Sequence, residues 1–413
     1  EVGGVTSSTD LSFVADNATA TIDENGLTAE AGNTVANGTD VNTVQLPVKD
    51  ANGNPIPGFD VTFTVTEPDG STRQQTVTTD ENGIASLPVT SDKAGSVKVE
   101  AEVGGVTSST DLSFVADNST AKIDENGLTA EAGNTVANGT DVNTVQLPVK
   151  DANGNPIPGF DVTFTVTNPD GSTRQQTVTT DENGIASLPV TSDKAGSVKV
   201  EAEVGGVTSS TDLSFVADNS TAKIDENGLT AEAGNTVANG TDVNTVQLPV
   251  KDANGNPIPG FEVTFTVTEP DGSTRQQTVT TDENGIASLP VTSDKAGSVK
   301  VEAEVGGVTS STDLSFVADN ATATIDENGL TAEAGNTVAN GTDVNTVQLP
   351  VKDANGNPIP GFDVTFTVTE PDGSTRQQTV TTDENGIASL PVTSDKAGSV
   401  KVEAEVGGVT SST

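Results

Sequence analysis

Cysteine, histidine, tryptophan, tyrosine and methionine are all absent from this 413-residue chain. Each absence closes a class of chemistry. Without Cys there are neither disulfides nor thiolates, and cysteine usage says nothing about the redox compartment. Without His, the usual general base, pH switch and transition-metal ligand is gone. The only aromatic residues are 12 Phe, which leaves little surface on which a base or a sugar ring can stack. No apolar run approaches the roughly 18–20 residues that span a bilayer as a helix. No stretch reads as a secretory leader, so an export address of the parent protein would lie outside these residues.

Basic residues are scarce as well. Sixty acids face 18 Lys and Arg, a formal net charge of −42. The excess is spread evenly along the chain instead of forming an acidic tail. Such a field repels phosphate backbones and anionic membrane surfaces, which argues against nucleic acid as a partner and against direct membrane insertion. Two uses remain for it: solubility with mutual repulsion of neighbouring segments, or attraction of divalent cations.

What the chain has in abundance is internal repetition. The segment DLSFVAD at residues 10–16 returns at Asp111, Asp212 and Asp313, a spacing of 101 residues each time. Nine leading residues, EVGGVTSST, also close the chain at 405–413. The four units differ at only four positions, represented in the first by Ala18, Thr21, Asp60 and Glu67. Repetition at this period means four ordinary small domains in place of one large fold.

Within a unit, apolar residues alternate with polar ones. Val44, Leu46 and Val48 do so, as do Val61, Phe63 and Val65. The pattern recurs in Ala85, Leu87 and Val89, in Val97, Val99, Ala101 and Val103, and in Leu112, Phe114 and Ala116. A period of two is the mark of half-buried strands. Between the runs lie turn sequences such as DANGNPIPG at 50–58 and DENG at 80–83, in which Gly and Asn accept positive φ and Pro presets φ at about −65°. Turn signals roughly every 8–12 residues read as a seven-strand Ig-like sandwich. Pro47 and Pro88 fall inside strand patterns and are expected at edge or bulge positions. Gly104-Gly105 should turn the last two strands into a hairpin. The fold expected is therefore all-β: four tandem Ig-like seven-strand β-sandwiches in an extended linear array. Residues 1–16 read as the C-terminal hairpin remnant of a preceding domain. Four domains follow at 17–116, 117–217, 218–318 and 319–413, the last without its final strand. A second copy's residues 10–16 would fit that gap, so the chain is expected to be a monomer or a weak head-to-tail associate.

The stretches DANGNPIPGFDVTFTV, TTDENGIASLPVTSDKAGSVKVEAEVGGV and DLSFVADNATATI resemble the bacterial Ig-like domains of the invasin/intimin class. Similar modules form the extender regions of giant repeats-in-toxin (RTX) adhesins. The resemblance covers all four units. It implies a stalk segment of a Gram-negative surface adhesin, used in adhesion and biofilm formation and anchored to the outer membrane through other parts of the parent. It also implies Ca²⁺ at the junctions, since RTX extenders often bind it there. A glycine-rich RTX array, an outer-membrane barrel and a tip domain are not recognisable in this sequence.

Catalytic constellations fail one by one. Asp23-Glu24 and Asp80-Glu81 are adjacent carboxylates, but both sit in turn sequences and lack an aromatic platform. Ser108-Ser109 has no His or evident Lys partner. No enzyme is expected. Asn17-Ala-Thr19 and Asn37-Gly-Thr39 match the glycosylation pattern, which chance explains in so Asn-rich a chain. The sequence Asp50-x-Asn52-Gly53-Asn54 echoes the start of an EF-hand, yet its Gly comes too early and no Glu closes it.

Seven-strand topology makes a better case for structural, interdomain Ca²⁺. It places Asp69 and Asp92 at the trailing end of one unit, facing Asp151, Asp181 and Glu182 of the next, with Asp117 and Asn118 between them. The same reasoning collects Asp16, Asp218 and Asp319 at the other linkers. It also collects Asp170 and Asp271 at trailing loops, and Asp252, Asp353, Asp282 and Asp383 at leading loops. Ca²⁺ takes six to eight such oxygens. The competing account is that these acids are solvated and screened by salt.

The function expected is reach. A strand of about 8 residues covers about 26 Å, and short linkers keep stacked units from behaving as a flexible coil. The rival is a repeated ligand-binding module contacting a host glycan or protein. Binding hot spots favour aromatics and Arg, and each unit offers one Arg, with Phe13, Phe59 and Phe63 mostly assigned to the core.

Overall fold

Alternation alone positions most of the strands. In the run Asn42–Pro47, Val44 and Leu46 are fully buried while the residues between them are partly exposed. The computed structural model describes residues 4, 6, 8–29, 32–130, 133–231, 234–332 and 335–413. In the first sandwich the strands are β1 (Thr28–Ala29), β2 (Asn33–Val35), β3 (Asn42–Pro47) and β4 (Asp60–Thr66). They continue as β5 (Thr72–Thr78), β6 (Ile84–Val89), β7 (Gly95–Val103) and β8 (Val106–Val115).

Two sheets face each other. One has three strands in the order β1-β3-β6, the other five in the order β2-β8-β7-β4-β5. Every pairing is antiparallel except β2 with β8, where Thr34 sits opposite Phe114. The opening strand is thus split, β1 serving one sheet and β2 the other, so seven expected strands become eight segments. Phe63, Phe114, Leu46, Ile56, Leu87 and Leu112 fill the space between the sheets. Each contributes about 1.5–3 kcal/mol by leaving water. The second and third sandwiches repeat the same orders, and the chain as a whole is all-β. Two compact units, Glu1–Val216 and Ala217–Thr413, each contain two sandwiches.

The β7–β8 hairpin turns on Gly104 and Gly105, at φ +60° and +79°, as two-residue hairpins require. Asparagine behaves differently from expectation. Among the described residues every positive φ belongs to Gly, so the many Asn of the turns are not there for backbone freedom. Pro88 lies on β6, an edge strand, as its missing N–H demands. Pro47 does not; it ends β3, the central strand. Its neighbours explain this. The Val48 N–H points to Gly83 on the β6 side, while the Lys49 N–H points to Thr21 on the other. By alternation the Pro47 nitrogen faces the gap between β1 and that bridge, where no ladder bond is lost.

One further expectation is corrected. Phe13 does not join a core: it is 90% exposed, with Leu11 and Val14 also exposed. Residues 8–16 carry no strand, and the rest of the expected leading hairpin falls partly outside the described residues. The fourth sandwich keeps four residues of its last strand, Val409–Ser412, paired to Lys401–Val406. That strand has four residues where β8 has ten, as expected, and residues 336–338, which match β2, carry no strand.

Candidate functional site at the interdomain joint

The joint is organised by one aspartate in each leading loop. In the second sandwich Asp151 is fully buried. Its Oδ1 accepts from the Asn153 and Asn155 N–H groups at 2.9 and 2.8 Å. Its Oδ2 accepts from the Asp117 N–H at 3.1 Å and from Asn155 Nδ2 at 2.9 Å. Burial pushes the Asp151 carboxyl up, but the Asn155 side chain and these backbone N–H groups outweigh it, and the net shift is down. Its copy in the first sandwich, Asp50, is also buried, has the same pattern and falls to about 2, chiefly through the Asn54 side chain.

Asp151 holds its loop in the form that reaches the preceding sandwich. Asn155 Oδ1 accepts from the Ala94 N–H at 2.9 Å, and its Nδ2 donates to the Asp92 carbonyl at 2.9 Å. Asn153 Nδ2 donates to the Ala36 carbonyl at 3.0 Å. The crossing chain is short. Ala36 N–H donates to the Val115 carbonyl in the first sandwich, Ala116 packs against the second core, and the Asp117 N–H is already held by Asp151. One residue separates the two bodies. The second unit repeats this arrangement independently: Asn357 bonds the Asp294 carbonyl and the Ala296 N–H, both at 2.9 Å, and Asn355 bonds the Ala238 carbonyl at 3.0 Å. Three such bonds contribute about 2–4 kcal/mol per joint.

The acids expected as Ca²⁺ ligands are dispersed. Asp16, Asp117, Asp218 and Asp319 cap short 3-10 turns, each accepting from an N–H two residues on. Asn118 is the exposed first residue of such a turn. Asp69, Asp170 and Asp271 accept from Ser71, Ser172 and Ser273, and Asp69 also pairs with Lys93 at 3.4 Å. Asp181, Asp282 and Asp383 close their own turns through the N–H groups two and four residues on. Glu182 is exposed. Asp252 and Asp353 repeat the Asp151 pattern. Asp92 does reach the seam, through its backbone carbonyl.

Among the described residues no group of three acidic side chains gathers as a metal site. Ca²⁺ needs six to eight oxygens, yet the four acceptor positions of Asp151 are taken by N–H donors. These residues fit an amide joint and do not fit a Ca²⁺ cage. Sequence reasoning missed Asn153 and Asn155. The signal was Asn155 before Pro156: such a residue is held in extended backbone, so its amide is there for its side chain.

Residues 24–115, 125–216, 226–317 and 327–413 each match the family described as bacterial Ig-like domain (group 1). The chain belongs to that family. It is 31% identical over 401 residues, 92% of its length, to the inverse autotransporter adhesin YeeJ of Escherichia coli (strain K12), of which it covers 16%. It is likewise 31% identical over 205 residues, 49% of its length, to intimin of Escherichia coli O127:H6, covering 21% of that protein. Among solved structures, that of invasin, a bacterial integrin-binding protein, matches 94% of this chain and 78% of its own length at 23% identity and a TM-score of 0.44. The chain thus spans about a sixth to a fifth of these curated relatives. It is a set of adhesin-type Ig-like repeats related to YeeJ and intimin, and not an enzyme. No helix among the described residues is long and apolar enough to cross a membrane.

Proposed function

We propose that the chain is an extender segment of a bacterial cell-surface adhesin, holding a distal binding domain away from an outer-membrane anchor that lies elsewhere in the parent. The observation that carries this reading is the joint: a single linking residue, Ala116, itself packed against the second core and flanked by hydrogen bonds into both neighbouring sandwiches. Stacked bodies with so little free linker convert repeat number into distance, where a flexible chain would gain only its square root. The rival reading, a repeated ligand-binding module, loses its best anchor. Arg73 is engaged with Glu67 and with the Thr90 carbonyl at 3.1 Å.

Service in biofilm formation, and any RTX-type architecture of the parent, rest on the resemblance alone. Stiffening by Ca²⁺ likewise rests on the resemblance and on the overall acidity of the chain. Weak head-to-tail association belongs to the same proposal. Leu11 and Phe13 lie exposed while the identical segment of the first sandwich buries Leu112 and Phe114. Sedimentation that stays monomeric at all concentrations would remove it.

Small-angle scattering in millimolar Ca²⁺ and in EDTA tests the main reading. A long particle in both conditions supports an extender whose joints need no metal. Shrinkage in EDTA would restore the Ca²⁺ account, and a compact particle throughout would overturn the extender itself.

A further inference from the structure

The joint has three anchorage points between consecutive sandwiches. One is covalent, at Ala116. The second is Asn155 on the loop 92–94, and the third is Asn153 on Ala36. They leave the leading loop in different directions, toward two separate loops of the preceding body. A two-point joint hinges about the line between its points. With three, a bend in any direction must stretch at least one hydrogen bond. Burial follows the contact: Asn155 and Asn357 are 9% and 8% exposed, whereas Asn54, whose described bonds stay within its own loop, is exposed.

We propose that the Asp-x-Asn-Gly-Asn loop is a docking element for the trailing loops of another copy of the same repeat, and that Asn155 and Asn357 lock the joint without a metal ion. The inference rests on the extender reading and supplies its stiffening part. Asp151 is a positioning residue in it. By gathering three N–H groups and the Asn155 amide, it presets the loop before docking, so little ordering is left for the moment of contact. The amide then suits the trailing loop in both polarities, accepting from one N–H and donating to one carbonyl. A carboxylate or a metal ligand would satisfy only half of that pair.

The test uses the full chain, which is free of Cys and so takes labels only where Cys is introduced. Spin labels at Gln75→Cys and Gln176→Cys, both exposed strand positions, report the distance across the first joint. The expected result is a narrow distance distribution, equally narrow in EDTA, that broadens about twofold in Asn155→Ala and stays narrow in Asn54→Ala. Asn153→Ala should broaden it too, while leaving every bond of Asp151 in place. Circular dichroism checks that the sandwiches remain folded. A distribution unchanged in both Asn155→Ala and Asn153→Ala, or one that EDTA broadens in the otherwise unaltered chain, overturns the amide lock. A broad distribution in that chain in either buffer overturns the extender reading instead.

Discussion

Ser91 Oγ donates a 2.7 Å hydrogen bond to the carboxylate of Glu67, and the loop it braces is the one that Asn155 clasps. Arg73 completes the brace, pairing with Glu67 and with the Thr90 carbonyl. In the second sandwich the Glu is replaced by Asn168, which turns instead to Ser172 at 3.0 Å and Arg174 at 3.2 Å. The second sandwich should therefore be less stable than the first and third, which keep the Glu, by about 1 kcal/mol. Calorimetry of the full chain should show a lower-melting component that Asn168→Glu removes, a rise of about 4–8 °C for that domain. An unaltered trace in Asn168→Glu would show that the brace contributes nothing.

Acid should loosen the leading loops within a definite window. The Asp50 carboxyl is held at about 2 in the folded chain, against 3.8 ordinarily, and Asp151, Asp252 and Asp353 are also shifted down. A depressed folded pKa means that the unfolded chain binds more protons. The stability these groups contribute is thus complete above about pH 4 and is lost as pH falls toward about 2. Melting midpoints measured from pH 6 to pH 2 should stay level and then drop across that interval. The drop should shrink when the four aspartates are changed to Asn. A fall centred near pH 5 would point to other carboxylates.

How legible the molecule was depends on which force shaped each part. Strands β3, β4, β6, β7 and β8 stand out because one face is buried, and burial writes a period of two. Strand β5, TRQQTVT, is a polar edge with an exposed or half-exposed side chain at every position, so it has no apolar period to read. The split of the opening strand is equally silent, since β1 and β2 are two and three residues long. At the joint, acidity was visible and drew attention to charge. The residues that make the contact are uncharged amides. Asn155 resembles any turn former until its own φ shows that the turn does not need it.

The hairpin turn gives a clean contrast between two adjacent glycines. A Cβ on Gly104 would stand 2.4 Å from the Ala20 carbonyl oxygen, a backbone atom that cannot swing aside. A Cβ on Gly105 would meet nothing within 4 Å. Both have positive φ, which costs an L-residue about 1–2 kcal/mol. Gly105→Ala should lose about that much and Gly104→Ala about 3 kcal/mol or more, the overlap adding to the strain. Denaturant midpoints of chains carrying either change at all four hairpins would measure the difference, and equal losses would contradict the close approach.

Ser108 shows why a hydroxyl without a base still matters. It is 1% exposed on β8, accepts from the Leu27 N–H at 3.0 Å and donates to the Glu24 carbonyl at 2.9 Å. The turn before β1 is tied through it to the last strand, a contact across 81 residues of sequence that closes one end of the sandwich. The same pair of bonds recurs at Ser209, Ser310 and Ser411. Removing the hydroxyl strands a buried N–H and a carbonyl, which costs about 1–3 kcal/mol. Ser109, one residue on, is exposed, and its loss should stay within about 0.5 kcal/mol. Ser→Ala changes at the four buried positions should lower the melting temperature of every sandwich by several degrees, and changes at the four exposed neighbours should leave it in place. If both sets melt alike, the hydroxyl bridge is not part of what holds the sandwich closed.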